Sequence, residues 1–180
     1  MPLTLPVIAR FRAETPALML QAAEARLIEA EALSKAEQWD GAVYLAGYVA
    51  EMLLKVAYCQ LDPTFPVTGT VDYIFGPAKT VWNSLVPVSQ LPYQHKHSLL
   101  FWEAVLDEHR RILGVAPAEW GLRLTTSRNL LTVRLNWRVD LRYQGPLLVE
   151  SEARAVCEAA RWLFDYKESF GVSSYTHLME

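Results

Sequence analysis

Arginine is concentrated in one stretch of the chain, residues 110–142. Seven of the twelve arginines lie there with two acidic residues and no lysine, so the stretch carries +5 in a protein of formal charge −3. A guanidinium group binds phosphate through paired hydrogen bonds and tolerates partial burial better than an ammonium group does. The pattern predicts a contact surface for phosphate or RNA, although the overall acidity argues against broad non-specific binding of nucleic acid. The alternative is that these arginines pair with acidic residues of the first and last predicted helices. The seven are Arg110, Arg111, Arg123, Arg128, Arg134, Arg138 and Arg142.

A second candidate feature lies in residues 41–61, an apolar stretch whose only charges are Glu51 and Lys55. The stretch is long enough to span a bilayer, but two ionisable side chains near its middle would be costly there. Their spacing of four residues, with the acid first, suits an ion pair on one face of a helix. We therefore predict the central helix of a soluble bundle, anchored by this pair. A functional alternative is that Glu51 orients an arginine of the basic stretch.

The histidines form no recognisable catalytic or metal-binding pattern. His95 and His97 could supply half of a metal site, but no Cys, Asp or Glu stands at ligand spacing from them. His109 falls on the apolar stripe of a predicted helix, which favours an interior position. The glycines never reach the spacing of a phosphate-binding loop, and no serine stands in a nucleophile motif. The sequence therefore predicts neither a metal nor a cofactor.

The cysteines and the N-terminal residues bear on the cellular setting. Cys59 and Cys157 both lie in apolar helical stretches, which predicts buried free thiols rather than a disulfide. The first residues have no basic start and include Pro2 and Pro6, so they do not resemble a secretory signal. A reducing, cytoplasmic setting follows as an expectation.

Most of the chain has apolar residues at steps of three and four, which is typical of helices that bury one face. Trp39-Asp40-Gly41 interrupts this pattern, and Gly145-Pro146 interrupts it again. Ser98 is a predicted N-cap. The predicted helices cover residues 16–37, 41–61, 99–114, about 117–137, and 150–170. They give an all-α fold, an antiparallel up-and-down bundle of four to five helices.

The length of 180 residues favours a single domain. We predict an N-terminal extension over 1–15, a helical domain over 16–171 and a tail over 172–180. Residues 62–96 hold five of the ten prolines and form an insertion between the second and third long helices. Within it, a short helix is predicted over 78–85, and the only candidate strand of the chain lies near 67–75.

Several motifs resemble the HEPN family and occur in that family's order. Residues 22–27 (AAEARL) resemble its first-helix pattern. Residues 39–55 (WDGAVYLAGYVAEMLLK) resemble the break and second helix, with a pattern A-x-x-L-A-x-Y-x-x-E-x-x-L-K. Residues 97–99 (HSL) resemble the start of its third helix, and residues 137–143 (WRVDLRY) resemble its W-x-x-x-x-R-Y ending. The resemblance covers about residues 16–170, with 62–96 as an insertion.

The resemblance implies a helical bundle that forms a homodimer. Many members of the family are metal-independent RNases or toxins, often paired with a nucleotidyltransferase-like antitoxin. Their reaction uses an R-x(4–6)-H motif, in which the arginine holds the scissile phosphate and the histidine acts on the attacking hydroxyl.

This sequence departs from that motif. Arg128-Asn129 resembles its R-N start, but Val133, Arg134 and Leu135 occupy the histidine positions. Arg138 is followed at the right distance by Tyr143, whose phenol, with an ordinary pKa near 10, is a poor general base at neutral pH.

Three hypotheses follow for the function. The first is a HEPN-like binding or regulatory component of a toxin–antitoxin or stress-response system, without nuclease activity, that holds a nucleotide or RNA phosphate. The second is an RNase in which Arg138 and Arg142 clamp the phosphate and Tyr143 or His109 moves protons. The third is a purely structural interaction module. The candidate binding residues are Arg128, Asn129, Arg134, Arg138, Arg142, Tyr143, Glu51 and Lys55.

Overall fold

The computed structural model describes residues 15–61, 65, 74–85, 96–115, 120–144 and 146–172. Within these ranges the chain forms six α-helices, two short 3₁₀ helices and no strand, so the prediction of an all-α fold is confirmed. The helices are α1 (Pro16–Lys35), α2 (Trp39–Leu61), α3 (Phe75–Leu85), α4 (Leu99–Leu113), α5 (Trp120–Asn136) and α6 (Glu150–Asp165), and the 3₁₀ helices span Val139–Tyr143 and Lys167–Phe170.

Helix α2 lies at the centre of the helical bundle. It packs against α1, α4, α5 and α6, and it is buried on most of its circumference, including Ala42, Ala46 and Ala50. These alanines repeat every four residues, and small side chains let a neighbouring helix approach closely. A helix that is apolar nearly all round is stable only when other helices cover it, and that requirement places α2 in the interior.

Helix α2 also passes the length and hydropathy test for a membrane span, the one helix among the described residues to do so, and 72% of its most apolar window is buried inside the protein. Neighbouring helices therefore already cover most of its apolar surface. This agrees with the predicted central helix of a bundle.

The turn between α1 and α2 differs from the predicted break. It falls at residues 36–38, before Trp39 rather than across Trp39-Asp40-Gly41. Glu37 adopts a left-handed backbone conformation with φ of 59°, and the Gln38 amide donates to the carbonyl of Leu33, which closes the end of α1. Asp40 consequently lies in the first turn of α2, where its Oδ1 accepts hydrogen bonds from the amides of Leu147 and Leu148.

The ends of α4 agree with the sequence signals. The Ser98 side chain accepts a hydrogen bond from the Phe101 amide at the N-terminus. Gly114 ends the helix in the left-handed conformation, with φ of 66°, which glycine adopts without strain. Helix α6 is shorter than predicted, because residues 167–170 tighten into a 3₁₀ helix that ends at Gly171.

Some predictions lie outside the described residues. These are the extension over 1–14, the candidate strand near 67–75 apart from residue 74, most of the insertion and the tail over 173–180. Within the insertion, α3 is longer than the predicted 78–85 helix by three residues at its start. Trp82 of α3 packs on Phe101 of α4, with ring centroids 5.3 Å apart, which attaches this short helix to the core.

Candidate functional site

Helix α5 carries arginines on two different faces. Its inward face is formed by the buried residues Thr126, Leu130 and Val133, and Trp137, directly after the helix, continues this line of buried side chains. Arg123 and Arg134, three turns apart, lie beside acidic residues of α4. Arg128 instead shares an exposed face with Leu124, Leu131 and Leu135. The arginines of the basic stretch therefore do not form a single surface.

Four of these arginines have acidic neighbours on α4. Asp107 lies between Arg110 and Arg123, with one carboxylate oxygen 3.7 Å from each guanidinium group. Glu103 lies 3.7 Å from Arg134. Arg111 and Glu108 form a tight two-pronged pair, with distances of 2.7 Å and 2.6 Å. The expectation that the arginines pair with acids of the first and last helices is therefore wrong for these four.

A cleft lies between α4, α5 and the 3₁₀ helix at 167–170. Its volume is about 660 Å³, and its lining includes Arg110, Arg123 and Asp107. Apolar side chains line it as well, namely Leu54, Leu85, Leu106, Leu130 and Phe170. The cleft therefore combines a charged wall with an apolar one.

Burial and neighbouring charge alter the acidity of two groups in the cleft. Burial lowers the pKa of Arg110, Asp107 opposes this, and the nearby Arg123 lowers the pKa further. Burial raises the pKa of Glu103, and the attraction of Arg134 opposes that rise. In both groups the charged form is therefore less stable, relative to the neutral form, than it would be in water.

The 3₁₀ helix at 139–143 presents two of the predicted site residues to solvent. The Arg138 side chain is 83% exposed and donates a 3.2 Å hydrogen bond to Asp140. Tyr143, at the other end of the turn, is 71% exposed. The backbone of Arg142 belongs to this turn, whereas its side chain lies outside the described part of the structure.

Trp137 fixes the start of this turn in the protein core. Its indole is buried and donates a 3.0 Å hydrogen bond to the carbonyl of Tyr44 in α2. The ring lies against Gly47, where an added Cβ would come within 2.0 Å of two ring atoms. Arg138 therefore follows directly after a rigidly held residue.

The remaining α5 candidates do not join that turn. Asn129 Nδ2 donates to the carbonyl of Thr125, one turn earlier, so its amide is engaged with its own helix. Arg128 is exposed and makes no ion pair within the described chain. Arg134 faces Glu103, as described above.

Glu51 and Lys55 belong to a polar stripe on the otherwise apolar α2. The stripe comprises Tyr44, Tyr48, Glu51 and Lys55, at steps of four, three and four. Glu51 is 2% exposed. Lys55 Nζ donates to its Oε1 over 2.5 Å, and this confirms the predicted pair.

His97 completes this stripe and is the residue that sequence reasoning missed. Its Nδ1 lies 3.0 Å and 3.1 Å from the two carboxylate oxygens of Glu51, although 46 residues separate them in the chain. Among the residues that the structure describes, the partners of Glu51 are Lys55 and His97, and no described arginine side chain pairs with it. The spacing of the four α2 residues was a usable signal for the stripe, but nothing local to His97 indicated its partner.

Aromatic rings enclose the stripe. The Tyr48 ring meets those of His97 and Trp137 edge-on, with centroids 6.1 Å and 5.5 Å apart. Lys55 Nζ lies 5.5 Å from the ring centre of Trp102. Chemically, Glu51 fixes the orientation of an imidazole and balances the partly buried ammonium group of Lys55.

His109 has a different environment. It is half-buried on α4 and packs against Tyr58 of α2, with ring centroids 5.0 Å apart. Its Nδ1 is buried without a hydrogen-bond partner among the residues that the structure describes. This agrees with the predicted interior position.

The described residues include no candidate metal site and two buried thiols. No group of three or more His, Cys, Asp or Glu side chains in the described ranges could hold a metal ion. Cys59 and Cys157 are buried thiols outside any disulfide, as predicted. Burial raises the pKa of the Cys157 thiol, with a hydrogen bond to Ser34 opposing it, so the reactive thiolate is disfavoured.

Comparisons with known proteins leave the chain without an assigned family. No protein-family model matches it, and neither the curated proteins nor the solved structures include a match. The class of protein that the structure defines is therefore an all-α helical bundle, and the function must be argued from its own residues.

Proposed function

We propose that this chain is a HEPN-like helical protein that binds RNA without cleaving it, with Arg138 contacting a phosphate group and Tyr143 stacking on a base. The observation that carries the proposal is the exposure of a guanidinium group and a phenol ring at the two ends of one 3₁₀ turn. Single-stranded RNA is bound through this combination, because arginine contacts the phosphate and an aromatic ring stacks on a base.

The ion pair that Arg138 makes does not oppose the proposal. Its partner Asp140 is itself 56% exposed. A surface pair of this kind contributes about 0–1 kcal/mol, so a phosphate group can replace the carboxylate at small cost. Arg128, exposed on α5 ten residues earlier in the chain, is a second candidate cation for the same strand.

Two histidines bear on the question of cleavage. The imidazole of His97 is held by Glu51, and that of His109 packs against Tyr58 inside the bundle. His97 packs on Tyr48, which in turn packs on Trp137 at the start of the 3₁₀ turn, so cleavage has to be tested together with binding. An RNase that relies on Tyr143 is the alternative that the test below must exclude.

The proposed setting rests on the family resemblance. A HEPN-like protein of this kind would act as a homodimer in a toxin–antitoxin or stress-response pair, with a nucleotidyltransferase-like protein as partner. The bundle of α1, α2, α4, α5 and α6 is compatible with that family's helical domain.

The test measures the binding of a fluorescent single-stranded RNA 20-mer by anisotropy over a series of salt concentrations. We expect Arg138→Ala to weaken binding and to reduce the salt slope by about 0.7, the value of one single-strand phosphate contact. Tyr143→Ala should cost about 1–3 kcal/mol through lost stacking. Arg154→Ala, which removes an exposed arginine from α6, is the charge-matched control and should bind as the wild type does.

The same samples are analysed on a gel after incubation with EDTA. RNA that stays intact agrees with the proposal. Cleavage that disappears in Arg138→Ala would instead establish the RNase alternative. If no salt-dependent binding of RNA is seen at low ionic strength, the result would support the third hypothesis, a purely structural interaction module.

A further inference from the structure

Helix α5 presents a line of exposed leucines to solvent, which the packing of the bundle does not explain. Leu124, Leu131 and Leu135 are between 41% and 74% exposed. None of them lines the cleft. Single exposed leucines are ordinary, but several on one face of one helix are typical of a surface that another molecule covers.

The spacing of this exposed face is that of a contact between two helices. Arg128 lies on the same face, so that the four residues follow one another at steps of four, three and four. This is the a/d repeat with which a helix packs its side chains between those of a second helix beside it. The buried residues of α5 lie on its opposite side. The α5 seam is defined as these four residues: Leu124, Arg128, Leu131 and Leu135.

The charge of α5 indicates an acidic partner. The helix contains three arginines and neither aspartate nor glutamate. Arg128 is exposed within the seam and makes no ion pair in the part of the chain that the structure describes. A guanidinium group that a partner covers is costly unless it is paired and hydrogen-bonded. A molecule that covers the leucines should therefore offer a carboxylate to Arg128.

A second copy of the same face does not supply that carboxylate. Two α5 helices in contact would each contribute three arginines and no acid, and like charges across an interface are repulsive. A lipid surface also fits less well. Helices that lie in a bilayer interface have a large apolar face opposite a basic polar one, whereas Arg128 stands between leucines within a narrow seam.

We propose that the α5 seam binds an acidic amphipathic helix of a different protein, whose apolar side chains pack on the three leucines and whose carboxylate pairs with Arg128. The docking goes beyond the proposed function, since it requires no RNA. Arg128 is also the second candidate cation for RNA, so a bound helix would compete with RNA for it. That consequence alone rests on the proposed function.

The test uses two labelled synthetic peptides that differ at one position. Each is a helix of about three heptads with leucine at the a and d positions, except for one central position that is glutamate in the acidic peptide and lysine in the control peptide. Binding to the full chain is measured by fluorescence anisotropy. The acidic peptide should bind about tenfold more tightly, because only its glutamate can pair with Arg128.

Reversal of the charge in the seam separates docking from a structural role. Arg128→Glu should weaken binding of the acidic peptide and strengthen binding of the lysine peptide, each by about tenfold. A merely structural arginine would not exchange the preference.

A second variant tests the apolar part of the seam. Leu135→Gln should weaken binding of both peptides about tenfold or more, since it removes apolar surface that the peptide would bury. Ile28→Gln, which changes an exposed aliphatic residue of α1, is the matched control and should bind as the wild type does. Thermal unfolding verifies that each variant is folded.

Four results would overturn the proposal. The first two are equal binding of the acidic and lysine peptides by the wild type, and unchanged binding by folded Leu135→Gln. The third is a dimer, measured by light scattering, that Leu135→Gln converts to a monomer, which would assign the seam to a second copy. The fourth is sedimentation with vesicles of phosphatidylglycerol and phosphatidylcholine that Leu135→Gln abolishes, which would assign it to a lipid surface.

Arg138→Ala distinguishes this proposal from the proposed function. It lies outside the seam, so it should bind the acidic peptide normally while its RNA binding is weakened. Failure of the docking proposal and failure of the RNA proposal therefore give different results.

Discussion

Glu51 is the only charged side chain that is buried among the residues that the structure describes. Its carboxylate is almost completely buried and contacts both Lys55 and His97. A buried carboxylate is stable only when its charge is balanced and its oxygens are hydrogen-bonded. Lys55 supplies the charge, while His97 ties the start of α4 to α2.

Removal of Glu51 should therefore destabilise the protein strongly. We expect Glu51→Ala to lower the free energy of unfolding by about 3 kcal/mol, because the largely desolvated Lys55 ammonium group, 12% exposed, loses its counter-charge. Urea denaturation followed by circular dichroism measures the change. The double variant Glu51→Gln/Lys55→Met should lose less, since it removes both charges together.

An exposed ion pair provides the comparison. Glu29→Ala breaks the surface pair with Arg26 and should cost about 0–1 kcal/mol. Equal losses for Glu51→Ala and Glu29→Ala would mean that the α2 pair is as well solvated as a surface pair.

At the scale of elements, the contact of α2 with the end of α5 positions the proposed RNA surface. The absence of a side chain at Gly47 lets the Trp137 ring approach α2 closely, and the indole is hydrogen-bonded to the same helix. These contacts fix the direction in which the chain leaves α5. They therefore position Arg138, the next residue, and the 3₁₀ turn that comes after it.

A methyl group at position 47 should disrupt this contact. An alanine Cβ would lie 2.0 Å from Trp137 ring atoms, so Gly47→Ala should cost about 1–3 kcal/mol through overpacking and weaken RNA binding as the turn shifts. Urea denaturation and the anisotropy assay measure the two effects. The matched control is Gly76→Ala in α3, where nothing lies within 4 Å of the added Cβ. A Gly47→Ala protein as stable as Gly76→Ala would contradict the close contact.

At the scale of the whole molecule, charge is segregated. The basic stretch carries +5 and the rest of the chain −8, since the total is −3. The structure divides this positive charge between the cleft, where α4 acids partly balance it, and the exposed surface of α5 and its following turn. The proposed RNA surface therefore uses only part of the basic stretch.

The acids of the cleft should make global stability depend on pH in a predictable direction. Burial raises the pKa of Glu103 above its usual 4.5. Between 4.5 and that raised pKa, the folded chain binds more protons than the unfolded chain, so its stability falls as the pH rises through this window. The stability of the wild type relative to Glu103→Gln should therefore increase as the pH is lowered from 7 to 5, as measured by urea denaturation.

Glu108 provides a comparison of opposite sign. Its hydrogen bond with Arg111 lowers its pKa below 4.5. Its contribution to stability is present above pH 4.5 and is lost only as the pH falls through the lowered pKa. The difference between the wild type and Glu108→Gln should thus stay constant from pH 7 to 5. A Glu103→Gln difference that is equally constant would refute the argument.

The sequence by itself determined the helical class, the approximate extent of the main helices and the central position of α2. These properties depend on local periodicity, capping residues such as Ser98 and the nearly continuous apolar surface of residues 41–61, which are all readable along the chain. It also indicated the Glu51–Lys55 pair, because residues four apart on a helix are neighbours. The predicted start of α2, residue 41, lies two residues too late. The turn occupies residues 36–38, where Glu37 adopts a left-handed backbone conformation that the local sequence did not indicate.

Only the tertiary structure decided which residues face each other across helices. His97 meets Glu51 from another helix, and the arginines of α5 separate because its faces point toward α4 on one side and solvent on another. Periodicity predicts which face of a helix is apolar, but not which neighbour covers it, since that depends on packing between segments distant in the chain. The cleft beside Asp107 exists for the same reason, and no local pattern in the sequence predicts it.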